Sequence, residues 1–244
     1  MRGGKFRLKN KSRKDIYEMG LKKRAISEKD KKKRKEKILK TAWNLFKKTD
    51  GQLPTVSVIA QQSGLSKGTF YLYFKTKEEI FLQLYLHKLQ EWHESVADQV
   101  NKCPENISEV EFAEIITDYV IQNPLLLKMG SLVRGVLEEN TDEKVIVETK
   151  MQIAQLLARC GQLTCQNFSG VTLNQAIQIH LRIYALIFGL WQITSSPKNI
   201  RNLLKKKQIH AFEPDFHDIV VESVATFLKG ALSCTCVEGQ STFK

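Results

Sequence analysis

What this chain of 244 residues lacks narrows its chemistry before any motif is considered. No run of eighteen uninterrupted apolar residues occurs. The most apolar stretch, "IYALIFGLWQI" from Ile183 to Ile193, is too short to cross a bilayer and is preceded by His180 and Arg182, so it is expected to be a buried helix. The amino terminus, "MRGGKFRLKNKSRK", has no apolar segment of the kind that directs secretion. A folded protein of the cytoplasm is the expectation, with no membrane partner. The cysteines, Cys103, Cys160, Cys165, Cys234 and Cys236, form no C-x-x-C pair, which leaves no metal or disulfide framework; Cys234 and Cys236 are the one close pair. The five histidines are scattered, and H-E-x-x-H, P-loop and G-x-G-x-x-G patterns are all missing. No catalytic residues, metal or cofactor are therefore expected, and the chain is not read as an enzyme.

What is present is positive charge, unevenly placed. Residues 1–50 carry 20 Lys and Arg against 6 Asp and Glu, a balance of +14, whereas the remaining 194 carry 18 against 20, a balance of −2. Such a field attracts a polyanion. An anionic membrane would need an apolar face beside the charges, and from Lys22 to Lys37 only Ala25 and Ile26 are apolar, so nucleic acid is the better match. Residues 1–30 read as a basic, flexible arm.

Helical periodicity begins in "SEKDKKKRKEKILKTAWNLFKKTDG", where Ile38, Leu39, Ala42, Leu45 and Phe46 share a face, Ser27 or Asp30 serves as cap and Gly51 ends the helix. A short helix follows the N-cap Thr55 and stops at Gly64. Ser66 caps a third, expected to run through Phe74. Two helices joined by a short glycine-containing turn are a helix-turn-helix. Thr76 and Glu79 make a T-x-x-E capping box for a long helix that links the basic end to the rest. Beyond it the chain reads as helical throughout, with breaks at Pro104, Asn123-Pro124, Gly170 and "SSPKN", and with no strand-like alternation or internal repeat.

The segment from Thr55 to Glu79 fits T-x-x-x-I-A-x-x-x-G-x-S-x-G-T-x-Y-x-Y-F-x-x-K-E-E through Thr55, Ile59, Ala60, Gly64, Ser66, Gly68, Thr69, Tyr71, Tyr73, Phe74, Lys77, Glu78 and Glu79. On that pattern, residues Lys31 to His87 resemble the DNA-binding domain of the tetracycline-repressor (TetR) family of bacterial transcriptional regulators. The resemblance implies an all-α fold: an N-terminal three-helix helix-turn-helix domain over 31–91 and a helical ligand-binding and dimerisation domain over 92–244. It also implies a double-stranded DNA operator, a homodimer, and repression relieved by a small-molecule effector, in a bacterial cytoplasm and on the nucleoid when bound to DNA. A ligand-independent nucleoid or replication-linked protein of the same fold is the alternative.

In the family, residues matching Thr55, Ser57, Tyr73 and Lys77 bind phosphates. Helical geometry sends Phe70 and Phe74 to the core and leaves Gly68, Thr69, Leu72 and Tyr73 on the other side. Lys67, Thr69, Tyr71 and Leu72 then offer base contacts, Gly68 permits close approach, and Ser66 starts the recognition helix. Tyr71 fits a DNA-facing or a core position. For the effector, Phe112, Tyr119, Met129, Arg134, Met151, Tyr184, Phe188 and Trp191 are pocket candidates, with simple core the plainer reading and an Arg134–Glu138 pair the plainer role for that arginine. The ligand-binding residues stay unassigned. The helices from Leu173 and from Asp215 are apolar enough to pair across a dimer as a four-helix bundle, or to form a monomer core.

Overall fold

The computed structural model describes residues 13–103, 107–210 and 215–238, with side chains described between Glu28 and Ser233. Every regular element among the described residues is helical. Residues 1–12 of the basic arm and the expected break at Pro104 lie outside the described residues, as do the side chains of Cys234 and Cys236.

Helix α1 spans Arg13–Lys48, so it starts well before the periodic segment, and Ser27 and Asp30 lie inside it rather than at its cap. The sequence there is rich in Lys, Arg and Glu, which favour helix without needing a buried face. Among the described side chains of α1, burial starts at Ile38, followed by Leu39, Ala42 and Phe46. The chain leaves α1 through two left-handed residues, Asp50 (φ 49°) and Gly51 (φ 84°), and the Gly51 amide closes the helix on the Phe46 carbonyl at 2.8 Å.

Helix α2 (Val56–Gln62) is capped by Thr55, whose hydroxyl accepts from the Val58 amide. Ile59 and Ala60 are its buried side, and Gly64 (φ 70°) makes the turn. Helix α3 covers only Lys67–Phe70; Tyr71 to Tyr73 form turns, so the recognition helix is one turn long rather than reaching Phe74. Phe70 and Phe74 are nonetheless both buried. Helix α4 (Lys77–Val100) begins where Thr76 accepts from the Glu79 amide at 3.1 Å. The Glu79 carboxylate accepts from the Lys75 amide at 2.8 Å, one residue before the position a reciprocal capping box requires.

The larger domain adds α5 (Glu109–Gln122), α6 (Pro124–Gly130), a π-helical turn (Val133–Glu138), α7 (Glu143–Asn167), α8 (Leu173–Thr194), α9 (Lys198–Lys206) and α10 (Phe216–Glu238). Pro124 takes the first position of α6, where its missing amide costs nothing. α4 packs against α5, α6 and α7; α7 lies along α8; α10 closes the bundle on α5 and α8. One apolar core runs from Ile38 and Phe46 through Phe81 and Tyr85 to Leu126 and Leu127, so the small domain is not separately insulated from the large one.

Candidate nucleic-acid interface

The small domain owes its shape to a cluster of rings. Phe46 packs on Phe81 at 5.3 Å, and Phe70 lies 6.2 Å from Phe74. With these rings turned inward, the remaining side chains of the segment are left outside. Thr55, Ser57, Ser66, Lys67, Gly68, Tyr71 and Leu72 are exposed; Thr69, Tyr73 and Lys77 are half-buried. Ser66 caps α3 by accepting from the Thr69 amide at 3.1 Å, and the Ser66 and Thr69 hydroxyls share a hydrogen bond of 2.8 Å. Gly68 has open space: a Cβ there would meet nothing closer than the Ser66 hydroxyl at 4.0 Å. The fold itself therefore does not demand glycine at position 68.

Tyr71, left open by the sequence, is half exposed at 50% and sets its ring edge-on to Phe70 at 5.7 Å. Leu72 is 74% exposed, the largest exposure of any large apolar side chain described. Tyr73 packs partly on the core, and Lys77 approaches Glu78 at 3.7 Å. The sequence reading missed two cations that α1 brings to this motif. The Lys35 ammonium sits over the Phe74 ring at 5.1 Å, and that of Lys37 lies 3.7 Å from where a Cβ on Gly64 would be. The signal was present in the lysine run, but only the packed position of α1 selects which lysines meet the turn.

The larger domain holds a buried polar row. His93 Nδ1 is 2.6 Å from the Cys160 sulfur and its Nε2 is 2.5 Å from the Tyr184 hydroxyl. His180 Nε2 meets the Thr164 hydroxyl at 2.8 Å. Burial holds both histidines down to about 4, so both are neutral near pH 7, and burial pushes the Cys160 thiol up to about 12. Such a thiol is inert. The void beside them, about 10 Å³, has room for one water.

Of the pocket candidates, Tyr184 lines this void, while Phe112 and Met129 are fully buried core. The Tyr119 hydroxyl donates to Glu91 at 2.8 Å. Phe188 lies against Gly130, Trp191 is set edge-on to Phe216, and Met151 is exposed. Arg134 is exposed, and Glu138 pairs with Lys150 instead of with it, because Glu138 faces α7.

A helix-turn-helix on a three-helix core, carried by a helical bundle, defines a two-domain class of helical protein. Comparison with known proteins gives its family. The pattern described as "Bacterial regulatory proteins, tetR family" matches residues 38–84, and "Tetracyclin repressor-like, C-terminal domain" matches 86–234. The chain belongs to the tetR family of bacterial regulatory proteins. It is similar to the HTH-type transcriptional regulator YerO of Bacillus subtilis, 28% identical over 142 residues, which cover 53% of this chain and 47% of YerO. It is similar also to the HTH-type transcriptional regulator QacR of Staphylococcus aureus, 38% identical over 72 residues, 30% of this chain and 38% of QacR. The matches thus span about half the length of these relatives or less. Among solved structures, the fatty acid degradation regulator FadR from Bacillus halodurans shares the fold, with a TM-score of 0.51 and 17% identity over 80% of this chain and 94% of that one.

Proposed function

We propose that this protein is a sequence-specific DNA-binding transcriptional regulator of the bacterial cytoplasm, a dimeric repressor released from its operator by a small-molecule effector. The observation that carries the reading is the outward set on the helix-turn-helix: hydroxyls at Thr55, Ser57, Ser66 and Thr69, the ammonium groups of Lys67 and Lys77, and exposed Tyr71 and Leu72 over buried Phe70 and Phe74. Hydroxyl and ammonium groups at the starts of short helices suit phosphates, and an exposed leucine suits a thymine methyl. Lys35 and Lys37 extend the cationic surface onto α1.

Dimer formation is supported by what one chain leaves uncovered. α8 is apolar enough, by length and composition, to cross a membrane, yet little of it is buried within one chain. Within one chain it is therefore less enclosed than the buried helix expected from the sequence. Leu181, Ala185, Gly189 and Ile193 follow one another at four-residue steps along its side, with Leu181 50% and Ile193 58% exposed. On the neighbouring α10, Gly230 faces open space, as Gly189 does on α8. A second copy laid on α8 and α10 would remove this surface from water.

Genomic footprinting of the native protein, with sedimentation of the wild type and of Leu181→Glu, tests both parts. One or a few palindromic sites and a dimer that Leu181→Glu separates are the expected results; dispersed sites would favour the ligand-independent nucleoid role, and a monomeric wild type would remove the dimer.

A further inference from the structure

A groove of about 750 Å³ separates the end of α1 from α6, the end of α8 and the start of α9. That is the size of a small-molecule site and far larger than the void beside His93. Its apolar wall includes Leu125, Leu132 and Trp191, and its charged groups are Asp50, Lys128 and Arg201. The Lys128 ammonium pairs with Asp50 at 2.8 Å, across the boundary between the two domains. Arg201 donates to the neutral Ser196 carbonyl at 3.2 Å, so its charge is not balanced by a carboxylate among the described residues. The sequence around it deepens the imbalance: from Ser195 to Phe212 there is no acidic residue, while Lys198, Arg201, Lys205, Lys206 and Lys207 are cationic.

We propose that this groove binds an amphipathic organic anion, a small apolar body carrying one carboxylate or phosphate group. The apolar part covers Trp191 and the two leucines, and the head meets Lys128 and Arg201, whose planar guanidinium suits a two-oxygen anion. Asp50 is the group the ligand competes with. Its side chain is 91% exposed, and an ion pair that open to water is weakly held.

The position gives binding a route to the DNA-facing motif. Asp50 and Gly51 are the exit of α1 towards Thr55 and α2. The stem of Lys128 lies so closely on Gly51 that a Cβ there would come within 2.4 Å of its Cδ. Drawing the ammonium from Asp50 onto a ligand changes the contact that fixes this exit against α6. The coupling must be reciprocal: an anion that loosens operator binding is itself bound less well when operator is present. This consequence rests on the repressor reading above; the binding site does not.

The test uses the full chain and calorimetric titration with decanoate and decyl phosphate, against decyltrimethylammonium and decanol as cationic and neutral controls. Decanoate or decyl phosphate should bind, the controls should not, and the tighter of the two anions identifies the head group. Lys128→Met keeps the stem on Gly51 and should weaken binding about ten-fold, as should Arg201→Gln. Asp50→Asn, a residue type tolerant of the left-handed backbone there, removes the competitor and should strengthen binding several-fold. A purely structural role for the ion pair would move Lys128→Met and Asp50→Asn in the same direction. That result, equal binding of the uncharged chain, or no binding of either anion overturns the proposal. Adding operator DNA separates the two readings: binding without release leaves the site standing and removes the regulatory role, whereas release by another compound with no binding here does the opposite.

Discussion

Lys75, just beyond the turn at residues 71–73, donates to Asp142 at 2.8 Å, and Asp142 at the same time caps α7 by accepting from the Lys144 amide at 3.0 Å. One residue on, the Thr76 hydroxyl donates to the Asn140 carbonyl at 3.2 Å. The start of α4 is thus tied to the start of α7. Asn in place of Asp142 keeps the capping oxygen and loses the charge. For Asp142→Asn we expect thermal unfolding close to wild type, because the pair is exposed, but faster amide hydrogen exchange over residues 71–80. Unchanged exchange there would show that the pair ties nothing down.

The interface separates into two kinds of variant. Leu72→Ala removes an exposed side chain, so folding stability should stay within about 0.5 kcal/mol of wild type, whereas Tyr71→Ala also loses the edge-on contact with Phe70 and should cost about 0.5–1.5 kcal/mol. Operator affinity should fall by about 1–3 kcal/mol. Lys77→Ala and Tyr73→Phe should weaken binding to every sequence, with the salt slope for Lys77→Ala reduced by about one, whereas Thr69→Ala should alter preference among operators. Titrations of one operator and one scrambled duplex at several salt concentrations check this. Equal losses for all variants on both duplexes would dissolve the division.

Stability should fall on acidification through His93 and His180. Burial holds both at about 4 against an ordinary 6.5, so below about pH 6.5 the unfolded chain takes up protons that the folded one refuses. Their contribution is fully present above pH 6.5 and is lost as pH falls towards 4, at about 1.4 kcal/mol per pH unit for each histidine. Urea midpoints at pH 7, 6 and 5 measure the slope. A flat profile would mean the histidines are not buried as neutral groups.

Gly130 faces the Phe188 ring so closely that a Cβ would lie 2.0 Å from its Cε1. Phe188 is in turn stacked on Tyr184 at 6.1 Å and set against Tyr85 at 6.4 Å, so it has little room to yield. Gly130→Ala should destabilise by about 1–3 kcal/mol. The double change with Phe188→Leu should recover part of that loss in thermal melts; no recovery would place the strain elsewhere.

Periodicity and turn chemistry made much of the fold legible. Ile38, Leu39, Ala42 and Phe46 mark a face, Thr55 and Ser66 cap, and Gly64 turns, because each signal is local. The start of α1 was not legible, since a sequence dominated by Lys, Arg and Glu leaves no apolar period to read. The length of α3 was hidden for the opposite reason: Phe70 and Phe74 keep helical spacing although turns separate them. Contacts distant in sequence, such as Glu138 with Lys150 or Lys35 over Phe74, depend on how helices lie together, and sequence spacing does not encode that.

A recognition helix of four residues has almost no hydrogen-bonded ladder of its own, and isolated helices of that length do not persist in water. Its shape is borrowed from the rings behind it. Warming that slackens Phe70 and Phe74 would therefore blur the reading surface, and because both rings belong to the core shared with the larger domain, operator occupancy should fall together with the melting of the molecule.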